Sequence, residues 1–556
     1  MFTTTIIIVR LNFIKQSDWE IIHMKTRFEK AVLTAVLFAA GLTASAAAAE
    51  RVLRIDEAPI GELDPAKASD YADSVLAINL YDTLVYPKQG GAGVQPHLAS
   101  DWSVDGNVFT FTLRDDVTFN SGNPLTAEDV VFSYNRMIAL GQGQSGLFAG
   151  RIASVEATDT NTVIFTLTEP FAPFLASLVR LSVVDSKVVS EHFAEGDHGD
   201  FGDYGSEWLS QNSAGSGAYV AETHDPQTET VLVADTDYFL GFEENYPEKV
   251  RYRYGLDPAT VRALISTGEH DVSSQWLPPE VYGALAAEGS ANLVSEGGLA
   301  GEYIQFNTRR APLDDVHCRR ALSYAFDYDT LLNLVKINDG VSQGFPMNGP
   351  LPTGLLGRDN DAPGFVQDMA KAQEQLALCK YGEGERALEI SWIAETPARE
   401  RGALLMQSLY GQLGFDVTIT RVPWVLFTEQ LVDPDTAPHI AEIAINAATP
   451  DTDALLYNMY SSANPATWMS TSYLADDQVD ALLTSGRTET DPDKRAEIYA
   501  ELNNRLIDLA PGIFGYELRS VFAVRDGVEM PNLSDPARAY PLSGFGTLFK
   551  DVQING

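Results

Sequence analysis

The side chains that carry covalent or metal chemistry are scattered here in spacings that such chemistry does not use. The chain has no Gly-Lys pair, hence no phosphate loop, and neither Ser-x-x-Lys nor His-Glu-x-x-His occurs. His192 and His198 stand six residues apart among Glu191, Glu195, Asp197 and Asp200, a stretch that reads as a solvated acidic loop instead of a divalent-metal site. Cys-x-x-Cys is absent, which removes a thiolate zinc centre. Neighbouring carboxylates occur in many places, as they must at this acidity, and none nominates an acid–base pair. The sequence therefore points to no catalytic residue, no metal and no cofactor, and to binding in place of turnover. The two cysteines, Cys318 and Cys379, are expected to pair as a disulfide, because an exported chain meets an oxidising compartment.

Positioning any site falls to elements that alternate between strand and helix. Arg51 to Ile55, Val108 to Arg114 and Val163 to Leu167 alternate apolar and polar residues and read as strands. Asn107, Asn120 to Pro124 and Thr158 to Asn161 supply turns. Thr126 is placed to cap a helix running from Ala127 through Arg136, with Glu128 and Asp129 beside its positive end. A single helix opening at Leu313 is expected to carry Ala321, Leu322, Ala325, Phe326, Leu331 and Leu332. Further helices are expected over Ala398–Leu413 and Pro492–Ile507, with a strand over Phe415–Ile419. No repeat of fixed period appears, which excludes solenoids and propellers and leaves an α/β chain of more than one domain.

The chain has 556 residues, 38 Lys+Arg against 77 Asp+Glu, and 45% hydrophobic residues. It is too apolar and aromatic to be disordered, and too acidic to bind a phosphate backbone, so nucleic acid is excluded as a partner. Met24 to Ala49 reads as a secretory signal peptide: a basic start, an apolar run from Ala31 to Leu42, and Ala47-Ala48-Ala49 before Glu50. Residues 1–23 read as an upstream extension. Residues 1–49 hold five basic and three acidic side chains, so the exported 507 residues carry a net charge of −41.

The stretch Leu98-Ala99-Ser100-Asp101-Trp102 through Phe109-Thr110-Phe111 to Leu125-Thr126-Ala127-Glu128-Asp129-Val130-Val131-Phe132-Ser133 resembles the signature of family 5 extracellular solute-binding proteins. That is the oligopeptide, dipeptide and nickel-binding group of ABC importers. Leu63-Asp64-Pro65, Leu80 to Val85, Gly215 to Tyr219, Phe306-Asn307-Thr308, Arg319 to Ala325 and Asp451-Thr452-Asp453 follow in the family's order.

The resemblance implies a two-lobe α/β periplasmic-binding-protein-like fold, with an extra subdomain in lobe I and the ligand cleft between the lobes. Lobe I is expected over residues 50–300 plus 516–556, and lobe II over 301–515. The implied protein is a monomeric, non-enzymatic, periplasmic carrier that delivers a peptide or peptide-like solute to membrane permease subunits. In the peptide binders an acid meets the ligand's α-ammonium; the matching stretch here is Ala444-Ile445-Asn446-Ala447-Ala448, and the place of a carboxylate-binding Arg reads Trp392-Ile393-Ala394-Glu395. An oligosaccharide or an opine-like conjugate is therefore the rival ligand, a receptor uncoupled from import the rival role, and a secreted enzyme the remote one. By analogy the ligand is met by Trp424, Asn446, Trp468, Ser470 and Thr471 in lobe II, with Tyr81 and Asn120 in lobe I.

Overall fold

The computed structural model describes residues 50–90, 93–362, 364–464 and 466–555. The expected upstream extension and signal peptide lie outside the described residues.

Three sheets organise the chain. The first takes β1 (Val52–Glu57), β6 (Tyr219–Asp225), β7 (Glu229–Ala234) and β8 (Lys249–Tyr254) in the order β1-β8-β7-β6, with β1 and β8 parallel. The second takes β2 (Ala99–Asp105), β3 (Val108–Leu113), β4 (Ile152–Asp159) and β5 (Thr162–Leu167) in the antiparallel order β2-β3-β5-β4. The alternation read in β3 and β5 places Phe109, Phe111, Leu113, Val163, Phe165 and Leu167 on one buried face. This sheet is the extra subdomain of lobe I.

The third sheet holds lobe II together and ties the lobes. It comprises β9 (Ala291–Phe306), β10 (Gly344–Phe345), β11 (Ala387–Ile393), β12 (Asp416–Val422), β13 (Ile440–Asn446) and β14 (Gly512–Arg525), in the order β10-β14-β9-β13-β11-β12. The two long strands, β9 and β14, run antiparallel to each other. Their pairing slips between Gly297 and Gly301 and again between Glu302 and Tyr303. A register slip interrupts the ladder and bends the strand locally. On the lobe I side, Val272 bridges both Ile55 of β1 and Val524 of β14.

The helices follow from local capping chemistry. They include α1 (Tyr71–Leu80), α2 (Ala127–Leu140), α3 (Val316–Ala325), α4 (Tyr328–Leu334), α5 (Met369–Leu378), α6 (Arg399–Gln412), α7 (Trp424–Gln430), α8 (Thr452–Tyr460), α9 (Asp477–Thr488) and α10 (Pro492–Leu509). Thr126 opens α2 as read: its backbone N–H and its hydroxyl donate to Asp129 Oδ2 at 2.9 and 2.7 Å, a capping box. The single helix expected from Leu313 is instead two. Asp315 caps the first, accepting from His317 N at 2.8 Å, so Leu313 and Asp314 stay outside it. Asp327 caps the second, accepting from Thr330 N at 2.8 Å, with Phe326 extended between them. A second aspartate N-cap overrides the apolar periodicity that ran through both. Cys318 in α3 is disulfide-bonded to Cys379 at the end of α5, closing a separation of 61 residues. Among the described residues no helix is long and apolar enough to cross a membrane.

Candidate functional site

Two sequence boxes, Leu80 to Val85 and Gly215 to Tyr219, meet in the segment expected as lobe I. At the end of α1, Asp82 accepts from Ser216 Oγ at 2.8 Å and from the Tyr238 hydroxyl at 3.1 Å, and lies 2.6 Å from His97 Nε2. Gly217 N donates to Leu80 O at 3.1 Å. A side chain at Gly215 or Gly217 would collide with the Leu80 carbonyl, which is why that box is written with glycines. Tyr81 lies between them, buried, with no partner for its hydroxyl. Asn120 Nδ2 donates to Gly217 O at 3.1 Å and to Asp235 Oδ2 at 2.7 Å, while its buried Oδ1 has no partner.

The residues expected to meet the ligand from lobe II lie at the carboxyl edge of parallel strands. Strand β11 runs parallel to both β12 and β13, so the segments after Ile393, Val422 and Asn446 emerge on one edge. In open α/β sheets this edge is where ligands are met. Trp424 starts α7 there, with its backbone N–H on Glu395 Oε2 at 3.0 Å. Trp468 packs edge-on against it at 5.4 Å between ring centroids. Both indoles are half-buried, as is Asn446. The loop carrying Ser470 and Thr471 is fastened to β9: Gln305 Nε2 donates to Met469 O at 2.9 Å, and Ser472 N donates to Gln305 Oε1 at 3.0 Å. Ser470 Oγ accepts from Thr467 N at 2.9 Å, whereas the buried hydroxyls of Thr449, Thr471 and Ser472 have no partner.

Asp451 and Asp453 serve α8 and its neighbours. Asp451 caps the helix and takes both terminal nitrogens of Arg495 at 2.7 Å, and Asp453 takes Arg487 Nε at 2.8 and 3.0 Å. His192 stacks on Trp208 at 4.3 Å, and His198 lies against Tyr204. Two runs match catalytic patterns by letter only. Gly141 to Gly146 reads Gly-x-Gly-x-x-Gly but follows helix α2, not a strand. Gly340 to Gly344 reads Gly-x-Ser-x-Gly, but Ser342 Oγ donates to the Gly344 carbonyl at 2.9 Å in a turn leading into β10, not from a strand into a helix.

The lobes touch across the cleft. Ala172 N donates to Arg487 O at 2.9 Å. Arg180 Nε, from the 3-10 turn Leu178–Arg180, donates to the carbonyl of Ala448 at 2.5 Å. Arg180 was not among the residues singled out by sequence; its signal is a lone charge inside the apolar run Phe174–Val184. Burial pushes this guanidinium down to about 10, and no carboxylate offsets it. Beside it lies a pocket of about 20 Å³, lined also by Tyr81, Thr83, Tyr86, Ser182 and Phe545.

Residues 93–467 match the family model "Bacterial extracellular solute-binding proteins, family 5 Middle". The probable D,D-dipeptide-binding periplasmic protein DdpA of Escherichia coli K12 is 29% identical over 478 residues, covering 84% of this chain and 88% of that protein. The periplasmic binding protein DppA from Helicobacter pylori, solved with the peptide STSA, superposes with a TM-score of 0.77 at 23% identity, covering 91% of this chain and 98% of that one. AgaA from A. tumefaciens R10, solved with agropinic acid, gives a TM-score of 0.75 at 21% identity, with coverage of 91% and 99%.

Proposed function

The chain belongs to the bacterial extracellular solute-binding proteins of family 5, and on that premise we propose that it is the exported binding component of an ABC importer, capturing a peptide-like solute between its lobes. The observation that carries this is the pair of long strands, β9 and β14, slipping register between two walls that touch at Arg180 and Ala448. A solute that contacts both walls supplies the differential affinity that favours closure.

In this reading lobe I spans residues 50–300 plus 516–556 and lobe II spans 301–515, because both crossings fall at the register slips. DdpA and DppA carry periplasmic names, in keeping with export by the segment 24–49 and cleavage before Glu50; in this reading the chain acts as a monomer beside a membrane permease. Both relatives are binding proteins rather than enzymes. The solute is met by Trp424 and Trp468 with Asn446 on one side, and by Tyr81 and its neighbours on the other. The unpartnered Thr471 hydroxyl lies in the loop beside Trp468.

A second ligand class is favoured by one observation. By the family resemblance, Ala448, or Asn446 if the loop shifts, takes the place of the acid that meets an ammonium in the peptide binders, and what reaches the Ala448 carbonyl here is a cation. The same fold holds a peptide in one solved protein and agropinic acid in another, so fold does not choose the solute. A thermal-shift panel decides between them, since a ligand that binds only the folded state raises its melting temperature. Di- to tetrapeptides are expected to raise it; no shift with any peptide, and a shift with an opine or oligosaccharide, would transfer the protein to the second class.

A further inference from the structure

The geometry points to Arg180 as the ligand anchor of lobe I, and so to a solute that bears a carboxylate. This deepens the reading above and rests on it. Arg180 is buried, with 9% of its surface exposed, in the face of lobe I that meets lobe II. Its Nε is tied to the Ala448 carbonyl, and its guanidinium lies 5.7 Å from the centre of the Phe545 ring. Its two terminal nitrogens make no hydrogen bond and no ion pair with any described residue. One edge of the fork is thus fixed, and the other offers two parallel N–H groups.

A buried guanidinium without a counter-ion is costly, and it cannot escape the cost by losing its proton. The other buried arginines of the fold have found partners. Arg136 is held by Asp64, Arg487 by Asp453 and Arg495 by Asp451, while Arg319 is wrapped by the carbonyls of Leu313, Leu509 and Ala510. Arg180 has one carbonyl. A carboxylate on the solute fits the free edge of the fork, since two parallel N–H donors match its two oxygens. Seated there, it neutralises the charge as the lobes close. The surroundings agree in sign: the hydroxyls of Tyr81, Thr83 and Ser182 line the adjoining pocket, and no acid does.

Calorimetric titration of matched peptides tests this. Di- to tetrapeptides are compared as free acids and as C-terminal amides, on the full exported chain and on Arg180→Gln and Arg180→Lys. Wild type is expected to bind the free acid at least ~10-fold more tightly than the amide, in keeping with a hydrogen-bonded charge pair. Arg180→Gln should bring that ratio to about one by weakening only the acid, and Arg180→Lys should restore part of it. Equal affinity for acid and amide in wild type, or a ratio that survives Arg180→Gln, overturns the assignment. If no peptide binds in either form, the peptide reading fails by itself. The anchor is then judged by native mass spectrometry of the solute that the protein carries from its own extract. A carboxylate-bearing solute that Arg180→Gln fails to retain upholds it; a neutral or purely cationic one overturns it.

Discussion

Lobe I contains two buried arginines in opposite circumstances. On α2, Arg136 donates to Asp64 through both terminal nitrogens, at 2.7 and 2.5 Å, and to the Tyr204 carbonyl at 2.9 Å. Asp64 also accepts from Ala66 N and Ser206 Oγ, so the pair is closed on itself. At the cleft face, Arg180 has one backbone carbonyl and an open edge. Both are charged and both are nine-tenths or more buried. The first is a finished piece of architecture that pins the Leu63-Asp64-Pro65 turn against α2. The second is complete only when something outside the lobe joins it. A satisfied buried charge belongs to the fold; an unsatisfied one on a surface that another body approaches belongs to a ligand.

The largest test of that contrast removes the partner of the satisfied pair. Asp64→Ala leaves Arg136 buried without a counter-charge and is expected to cost about 3–5 kcal/mol in chemical denaturation. A loss below ~1 kcal/mol would put Arg136 in the same class as Arg180. The next test uses acids, which have an exit that arginine lacks. Burial pushes Glu57 up to about 8, with the Asp56 carboxylate adding to the rise and the Ala58 N–H and Trp276 indole opposing it. A carboxyl whose folded pKa exceeds its unfolded value is stabilising at low pH, and that contribution is lost as pH rises towards the folded value. Stability should therefore fall between pH 5 and pH 8, by up to ~4 kcal/mol from this group. Glu57→Gln should flatten the slope while keeping an acceptor for Trp276; an unchanged slope would mean that Glu57 ionises freely in the folded protein.

Two smaller effects concern the cleft. Arg180→Gln should change unfolding stability by less than ~1 kcal/mol, because an uncompensated charge contributes little to the fold. A loss as large as that of Asp64→Ala would make Arg180 structural. Trp424→Ala should weaken solute binding about tenfold and move the melting temperature by only a few degrees, since the indole is half-buried and packs mainly on Trp468. Unchanged affinity in calorimetry would return Trp424 to the core.

Much of this was written in the sequence at short range. The alternation in β3 and β5 and the cap at Thr126 depend on neighbours a few residues apart, and the structure follows them. The helix after Leu313 shows the limit: apolar periodicity continued across Phe326, and only the capping power of Asp327 divides it. The contacts that define the walls lie far apart in sequence. Leu80 and Gly217, Gln305 and Met469, Arg180 and Ala448 meet through topology, which no local spacing reports. Asn120 was legible as polar and near a conspicuous box; that its nitrogen serves Gly217 and Asp235 while its Oδ1 stays unpartnered was not. Arg180 was visible only as an incongruous charge in an apolar run. Its meaning depends on which partners are missing, and that is a property of the folded molecule.

The central claim is that a small solute is held between the two walls and draws them together. Native mass spectrometry of the protein taken from its own extract, repeated after the solute is stripped and a peptide is added back, tests it most directly. The account predicts one bound molecule of peptide-like mass per chain, lost on stripping and regained with the peptide. A chain that carries nothing, regains nothing and shows no thermal shift with any peptide, opine or oligosaccharide would contradict it.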